Sequence, residues 1–509
     1  MNWKKYKSLP AEKKKDEAYY IIGLDIGNDS SAIAFYNLAE NSAEAIDLSG
    51  GYGKPSIPTV MQYIPETKEW VFGEYAVLNA GAGTVFSSML ARMGRFDYLD
   101  VGGRSLSVAG VFALFIKEML ASVKNINPKA EIVGIVVSVP AYFSAQAHEE
   151  LTRVFKQAGY EKELIALVPD RECVLAHHYQ APPKTPENAL LLDIGSRELR
   201  GGLYSVAEKD GGISVVSLSS VFDSEISLSF LTKDINALFG SFLSDDGEVA
   251  SNLKEQLKAF TYQHKDILFQ KNIRTKPQKL YYNFVYPPVQ HTLTNERVQE
   301  LIAPYNKRFN RFIGDVMAKS LSGKAFAPAQ IDTVLCVGGG FDMLWAKEAV
   351  ASIFPKERVK FYKNPKMITA EGAACIAARE LGIIDTPLAI EDKHQLTNDI
   401  GLSDGKNFLT LIERNGFWWQ QHPSKLFLVN SAVEGEISLD IAELSPTGDG
   451  RTVSKMQLDG LPPRPKGVTR LEVSPTFHSN TELTIKITDM GFGDLFPKSN
   501  YAREFLVKI

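Results

Sequence analysis

The chain has 509 residues, of which 44% are hydrophobic and 23% are charged, and its formal net charge is −4 at pH 7. This is the composition of an ordinary globular protein, and it excludes the strongly basic balance of an obligatory nucleic-acid binder. No apolar run has the length of a membrane span, so we predict neither a nucleic-acid nor a membrane partner. The length predicts three or four domains.

The ends and the cysteines of the chain indicate its compartment. Residues 1–17 are rich in lysine and lack the apolar core of a signal peptide. Cys173, Cys336 and Cys375 are far apart and form neither a disulfide framework nor a metal set. We therefore predict a solvated N-terminal extension and a cytoplasmic protein.

The first folded element is predicted to be a β-hairpin over residues 19–36. An apolar run, Tyr20–Leu24, leads to Asp25 and Gly27, and a second β-prone run follows. Polar turn residues between two such runs are typical of a hairpin. The N–H groups of the turn can bind an anion, and Asp25 could hold Mg²⁺ through water. A turn without any ligand is the alternative.

Three further elements are predicted before residue 160. Residues 107–123 carry apolar residues at helical spacing, and residues 132–139 read as a buried strand. Ser144 is a suitable N-cap for a helix over residues 145–158.

The hairpin pattern then recurs. Residues 189–206 again place an apolar strand before Asp-Ile-Gly, here with Asp193 and Gly195, and a third strand over residues 333–337 runs into three glycines. Two such hairpins and a glycine-ended strand predict a two-lobed nucleotide fold with a phosphate loop in each lobe. The pattern resembles the superfamily of actin, the sugar kinases and the heat-shock ATPases.

Several motifs, in order and spacing, are similar to those of the DnaK-type 70-kDa heat-shock chaperones. They are Val139–Phe143, Ala158–Tyr160, Ile331–Gly340, Asn364–Pro365, Ala370–Ala374, Leu411–Asn415, Met456–Val468 and Leu471–Val473. The resemblance covers nearly residues 19–509. It implies an α/β actin-like two-lobed ATPase domain over residues 18–380, a linker over 381–394, and an all-β sandwich substrate-binding domain over 395–509 without the family's helical lid.

The resemblance also implies a nucleotide site for ATP or ADP with Mg²⁺. Its residues are Asp25, Gly27, Asn28, Asp193, Gly195, Lys265, Gly338, Gly339 and Gly340. Asp25 and Asp193 would hold the Mg²⁺ through water.

Many positions of this site depart from the family's pattern. Asn28 and Asp29 replace threonines, Met89 replaces the catalytic lysine, Arg200 replaces the second aspartate of the second hairpin, and the carboxylate before the next helix falls on Pro169 or Asp170. Phosphoryl transfer depends on such charges. The sequence therefore predicts at most a weak ATPase. Nucleotide binding without efficient hydrolysis and a cleft that joins two lobes without ligand both remain open.

The C-terminal residues keep the chemistry of a peptide groove. The resemblance places groove residues at Leu402, Phe408, Phe427, Ile437 and Leu439, all apolar, with sandwich core as the alternative for each. Trp418 and Trp419 are adjacent, and because neighbours on a strand point to opposite faces, one of them could form a contact surface for a dedicated protein partner.

These features together predict a DnaK-like molecular chaperone, or a chaperone-like protein, that binds unfolded or extended apolar polypeptide. One alternative is a nucleotide-independent scaffold with one fixed partner at Trp418 and Trp419. The other is a phosphotransferase of the actin-like superfamily, against which the C-terminal domain argues.

Overall fold

The computed structural model of the protein describes residues 3–14, 18–48, 55–79, 82–141, 143, 145–223, 225–243, 253–265, 276–318, 325–392, 396, 398–403, 408–413, 418, 421–444, 450–479 and 482–509. The chain divides into two compact units. Unit 1 comprises residues 1–216, 223–318 and 325–391, and unit 2 comprises residues 217–222, 319–324 and 392–509.

The first half of unit 1 is organised around one mixed sheet. Its helices are α1 (Trp3–Lys7), α2 (Ala11–Lys14), α3 (Gly73–Leu78), α4 (Val108–Ile126), α5 (Ala145–Ala158) and α6 (Asp170–His178). Its strands are β1 (Tyr19–Ile26), β2 (Ser30–Asn37), β3 (Ser42–Ala45), β4 (Ser56–Pro58), β5 (Val60–Ile64), β6 (Glu69–Phe72), β7 (Thr84–Ser87), β8 (Tyr98–Val101), β9 (Arg104–Ser107), β10 (Glu131–Val139) and β11 (Leu164–Pro169). The main sheet has the order β11-β10-β1-β2-β3, and β4 also pairs with β2.

The second half of unit 1 contains a second mixed sheet. Its helices are α7 (Leu228–Ser241), α8 (Lys254–His264), α9 (Asn295–Ala318), α10 (Leu344–Ile353) and α11 (Ile368–Glu380). Its strands are β12 (Glu187–Ile194), β13 (Leu199–Lys209), β14 (Gly212–Asp223), β15 (Gln278–Tyr282), β16 (Val289–Leu293), β17 (Thr333–Val337), β18 (Val359–Phe361) and β19 (Leu388–Asp392). The sheet has the order β18-β17-β12-β13-β14-β19.

The two main sheets repeat one arrangement. β1 pairs antiparallel with β2 and parallel with β10, and β12 pairs antiparallel with β13 and parallel with β17. Asp25 and Asp193 are each the last residue but one of the central strand. The hairpins predicted over residues 19–36 and 189–206 are confirmed.

The helices and strands predicted before residue 160 are also present in the structure. Helix α4 begins after Ser107, whose side chain accepts a hydrogen bond from Gly110 N at 3.0 Å. Successive turns of α4 bury Val108, Phe112 and other apolar side chains in the core beneath the first sheet. Helix α5 covers the predicted range, although its predicted N-cap, Ser144, lies outside the described residues.

Helix α11 lies very close to β1 and to helix α6 because one glycine at each contact leaves room for it. A Cβ on Gly23 of β1 would stand 2.1 Å from Ala370 O, and a Cβ on Gly372 would stand 1.7 Å from Cys173 O of α6. No side chain can be added at such distances without moving backbone. This packing fixes the start of α11, and with it Lys366, beside the end of β1.

The N-terminal segment differs from the solvated extension that the sequence predicts. Tyr6 is fully buried in one core cluster with Leu381, and its ring meets Tyr19 edge to face at 5.3 Å. The Tyr6 hydroxyl donates to Lys14 O at 2.8 Å, and the Lys14 ammonium donates to Leu381 O at 3.1 Å, just past α11. A cation at that position is favourable to the helix dipole.

The predicted linker over residues 381–394 is partly structured. Leu381 is buried, and β19 adds an edge strand to the second sheet. Just before β19, Pro387 O accepts a hydrogen bond from Ile213 N of β14 at 2.8 Å. Leu388 and Ile390 pack against the core between α6 and the second sheet. Residues 388–391 therefore belong structurally to unit 1.

Unit 2 consists of two four-stranded antiparallel sheets. Its strands are β20 (Asp399–Ser403), β21 (Phe408–Ile412), β22 (Lys425–Val429), β23 (Glu436–Leu444), β24 (Gly450–Asp459), β25 (Thr469–Ser479), β26 (Glu482–Asp489) and β27 (Ala502–Lys508). The sheet orders are β21-β20-β23-β24 and β22-β25-β26-β27.

A buried ion pair ties the loops of unit 2. The Arg464 guanidinium donates to both carboxylate oxygens of Asp489 at 2.7 Å and to Pro497 O at 2.7 Å. The same carboxylate also accepts from Gly491 N and Ser499 N. These hydrogen bonds hold the pKa of Asp489 well below its usual range against the opposing effect of burial.

Among the helices in the described part of the chain, none combines the length and the apolar character that crossing a bilayer requires.

The buried Tyr6 predicts that the N-terminal segment contributes to folding stability. Tyr6→Ala should lower the free energy of unfolding by about 3–5 kcal/mol, because a large buried ring is lost and a cavity remains. Urea unfolding of the full chain measures the change. Tyr75→Ala removes a ring that is 59% exposed, and this control should change stability by less than about 0.5 kcal/mol. Equal unfolding midpoints for the two variants would show that residues 3–14 are dispensable.

Candidate functional site

A cleft of about 860 Å³ opens where the two central strands of unit 1 end. The β1–β2 turn, the β12–β13 turn, the loop after β17 and the C-terminal end of α8 line it. The predicted nucleotide residues that line it are Asp25, Gly27, Asn28, Asp193, Gly195, Lys265, Gly338 and Gly339, whereas Gly340 is buried behind the lining. The two Asp-Ile-Gly turns therefore face one space, as the repeated pattern predicts.

The Asp25 carboxylate is held by two side chains. The Lys366 ammonium contacts Oδ2 as an ion pair, and the Ser138 hydroxyl donates to Oδ1 at 2.8 Å. Ser138 lies on β10, next to β1 in the sheet, so its place follows from the strand register. Lys366 stands two residues before α11, whose close packing on β1 brings it here. Both oxygens of Asp25 thus have protein partners.

The Asp193 carboxylate is held in a similar way by Arg200. The guanidinium donates to Asp193 Oδ2 at 2.7 Å, forms an ion pair with Asp170, and lies 3.7 Å from Glu198 Oε1. Asp193 and Arg200 are direct cross-strand partners in the β12–β13 hairpin, so the pairing is local. Of the two positions considered for the carboxylate before α6, Pro169 ends β11, whereas Asp170 opens α6 and lines the cleft.

The carboxyls on the β12–β13 hairpin are poorly solvated. Burial and the neighbouring Asp25 raise the pKa of Asp193 to about 7, while Lys366 acts in the opposite direction. Burial and Asp193 likewise raise the pKa of Glu198 to about 7, while Arg197 lowers it. A buried carboxylate needs a nearby cation to stay ionised at neutral pH, and Arg200 is the cation in contact with both.

The glycines of the cleft have different reasons to be glycine. A Cβ on Gly338, whose φ is +83°, would lie 2.2 Å from Asp193 Oδ1, and a Cβ on Gly340 would lie 2.2 Å from Ile194 Cγ2. Both are therefore required by packing of the loop on β12. A Cβ on Gly339 would meet only Leu228 Cδ1, at an ordinary 3.5 Å. Packing therefore does not require a glycine at position 339, and the missing side chain leaves open space in the cleft.

Three further predicted positions are Asn28, Met89 and Lys265. Asn28 Oδ1 accepts from Ala91 N at 2.9 Å, so this side chain secures the segment that follows Met89. Met89 is fully buried in the apolar core and does not line the cleft. Position 89 therefore supplies no charge to the site. Lys265 lines the cleft with its ammonium over the Tyr262 ring at 5.4 Å.

The residues present do not fit a Mg²⁺ ion between Asp25 and Asp193. A divalent cation there would meet the Lys366 ammonium and the Arg200 guanidinium, which repel it and already contact one oxygen of each carboxylate. Within the described ranges, no group of three or more His, Cys, Asp or Glu side chains is arranged to hold a metal. Acidic side chains also outnumber basic ones along the lining, which disfavours a polyphosphate that arrives without a metal.

Two of the site's residues were missed by sequence reasoning. Ser138 sits in a strand that reads as uniformly apolar, and its place beside Asp25 needs the register of β1 on β10. Lys366 directly follows the Asn364–Pro365 pair, yet only the packing of α11 shows that it reaches Asp25, 341 positions away in the chain.

The predicted groove residues of unit 2 do not form one set. Leu402 pairs with Ile441, so it shares a face with Leu439 and Ile437, and the burial along this row falls from Ile441 through Leu439 to a half-buried Ile437. Leu402 and Leu439 are core residues. Phe408 pairs with Ser403 and therefore lies on the opposite face of the same sheet.

Phe427 belongs to the other sheet of unit 2. It is half-buried and pairs with the buried Leu471, whereas its neighbours Leu426 and Leu428 are exposed. Its side chain therefore lies on the buried face of that sheet. Ile437 and Phe427 are the two predicted groove residues that are both on a buried face and partly accessible.

The predicted contact surface at two tryptophans has one described member. Trp418 is 1% exposed and meets Phe477 at 6.3 Å, so it is a core residue. Trp419 lies outside the described residues.

Two family models match parts of the chain. The C-terminal part of a family of unknown function (DUF5716) matches residues 42–207, and a domain of unknown function (DUF8552) matches residues 397–509. The first match contains Asp193 and Arg200 but ends before the glycine loop. The second covers strands β20 to β27 of unit 2. Neither match reaches half of the chain, and neither description names an activity.

The Arg200 network predicts a pH-dependent loss of stability in Arg200→Met. Raised carboxyl pKa values mean that the folded state binds protons that the unfolded state releases between about pH 4 and 7, so ionisation costs stability as the pH rises. Arg200 offsets that cost. The free energy of unfolding of the variant should be lower than that of the wild type by about 2–3 kcal/mol at pH 8, because breaking a fully buried pair costs roughly 3–5 kcal/mol and this pair is partly exposed. The decrease should be clearly smaller at pH 5.

Urea unfolding at pH 5, 6, 7 and 8 measures this difference. Arg153→Met serves as the control, because Arg153 pairs with Glu149 on the exposed surface of α5 and should matter little at any pH. An Arg200→Met penalty that is the same at pH 5 and pH 8 would contradict the assigned role.

Proposed function

We propose that this protein is a DnaK-like, chaperone-like polypeptide-binding protein whose nucleotide cleft does not hydrolyse ATP. The absence of ATP hydrolysis is supported by the pairing of Asp25 with Lys366 and of Asp193 with Arg200. The DnaK-like, polypeptide-binding role is supported by the sequence resemblance to the 70-kDa heat-shock chaperones. The cytoplasmic location and the actin-like and sandwich folds belong to the same proposal.

The repeated sheets of unit 1 support an actin-like, two-lobed arrangement. Each sheet sends an Asp-Ile-Gly turn into a shared cleft, and the glycine loop after β17 contacts Asp193. In such a cleft, catalysis of phosphoryl transfer rests on a metal and on a positioned cation. Here the metal-side carboxylates are neutralised by protein cations, and Met89 is in the core. The same loss argues against a phosphotransferase.

The half-buried apolar side chains of unit 2 support polypeptide binding. Ile437 stands at the accessible end of a buried row, and Phe427 shows partial access on the buried face of its sheet. An extended chain could pair its backbone with strand edges or loops and place an apolar side chain at each position. With Trp418 buried, the fixed-partner scaffold has less support among the described residues than polypeptide binding has.

Steady-state ATP hydrolysis by the purified full chain should lie below detection. Losing one electrostatic stabiliser typically costs about 10²–10³ in rate, and both the cation and the metal-side charge balance are changed here. Phosphate release assays with and without Mg²⁺ measure it. Turnover that disappears in Asp25→Ala would overturn this part of the proposal.

Peptide binding should depend on Phe427 and not on the residue beside it. Burying one large apolar side chain is worth about 1.5–3 kcal/mol. We expect the wild type to bind a leucine-rich heptapeptide with a micromolar Kd, and Phe427→Ser should raise that Kd roughly 10-fold or more. Leu426→Ser is the matched control, since Leu426 is next in the strand and 56% exposed. Fluorescence anisotropy measures the Kd.

Circular dichroism of each variant separates a lost site from a lost fold. If folded Phe427→Ser and Leu426→Ser bind the peptide as wild type does, or if wild type does not bind it, these residues are core and the scaffold alternative takes precedence.

A further inference from the structure

Two ion pairs of the cleft connect residues that lie on or follow strands of different sheets of unit 1. Lys366 follows β18 of the second sheet and contacts Asp25 on β1 of the first. Arg200 lies on β13 of the second sheet and contacts Asp170, which follows β11 of the first. Each cation thus lies on or after a strand of the second sheet and contacts a carboxylate at a strand end of the first sheet, at the inner end of the cleft.

Two hydrogen bonds from neutral hydroxyl groups bridge the outer part of the same cleft. The Ser229 hydroxyl on α7 donates to Asp29 Oδ2 in the β1–β2 turn at 3.3 Å. The Tyr262 hydroxyl on α8 donates to Glu74 on α3 at 3.4 Å. Long and partly exposed, these hydrogen bonds are weak. Among these contacts across the cleft, the ionic ones at the inner end are therefore the stronger.

The ionic links are sheltered from solvent. The side chains of Asp25, Asp170 and Asp193 are each 13% exposed, and those of Lys366 and Arg200 are 20% and 27% exposed. Ion pairs at such depth are screened by salt much less than surface pairs are. Removing either cation would leave carboxylates facing each other across the cleft, which favours opening.

We propose that Lys366 and Arg200 form a ligand-independent lock, in which two protein cations hold the strand ends of the two sheets of unit 1 together at the inner end of the cleft, where a bound metal and its ligand would otherwise lie. The lock keeps unit 1 in one closed arrangement whether or not nucleotide is present. This inference extends the proposed absence of hydrolysis, but it does not depend on polypeptide binding by unit 2.

Hydrogen–deuterium exchange of the full chain tests the lock. Lys366→Met and Arg200→Met should each speed exchange about 10-fold or more at both cleft turns, over residues 26–30 and 194–199, because local opening exposes their amides. Lys258→Met is the control, since it removes the exposed Lys258–Glu255 pair on α8 and should leave both turns unchanged.

A charge exchange separates pairing from simple packing. In the double variant with Asp25→Lys and Lys366→Asp the pair is restored with reversed polarity, so exchange at the two turns should return toward the wild-type rate. Unchanged exchange in both single variants, or a double variant no slower than Lys366→Met, would overturn the lock. If the double variant does not fold, the two Met variants still decide the question.

A comparison of exchange with and without nucleotide completes the test. Wild-type exchange at residues 26–30 and 194–199 should be the same with and without ADP and Mg²⁺. Slower exchange with nucleotide, without any ATP turnover, would overturn the lock and leave the proposed function standing. ATP turnover would instead overturn the proposed function. The two failures are therefore distinguishable.

Discussion

The structure of unit 1 depends on the charge balance between four carboxylates and two cations at the inner end of one cleft. Asp193 and Glu198 are buried enough that their pKa values rise to about 7. A cleft of this kind cannot stay closed with its carboxylates ionised unless positive charge is supplied. Here the chain supplies it through Arg200 and Lys366, and we infer that this internal balance replaces a metal-bound ligand.

That substitution gives a physical reason for the other departures at the site. In the function that we propose, the metal side is neutralised from within and a catalytic cation has no transition state to stabilise, which leaves position 89 free to hold a core methionine. The turn residue Asn28 is free to secure a neighbouring backbone N–H. The polypeptide-binding role that we propose for unit 2 then operates without a hydrolysis cycle to drive it.

The sequence predicts the local elements well because their signals are local. Apolar runs broken by polar turns locate both hairpins, and helical spacing locates α4. Arg200 is visible in the sequence, but there it reads as a lost carboxylate, because its pairing with Asp193 appears only once the hairpin register is known. Lys366 and the buried Tyr6 depend on contacts between distant parts of the chain, which no local pattern encodes.

The central claim is that protein cations already occupy the carboxylates that would hold Mg²⁺, and calorimetric titration of ADP into the full chain tests it most directly. Run with Mg²⁺ and again with a chelator, the titrations should give the same heat and the same Kd, or no binding in either case. If Mg²⁺ strengthens ADP binding about 10-fold or more, and Asp193→Asn removes that gain, the carboxylates hold a metal and the account is contradicted.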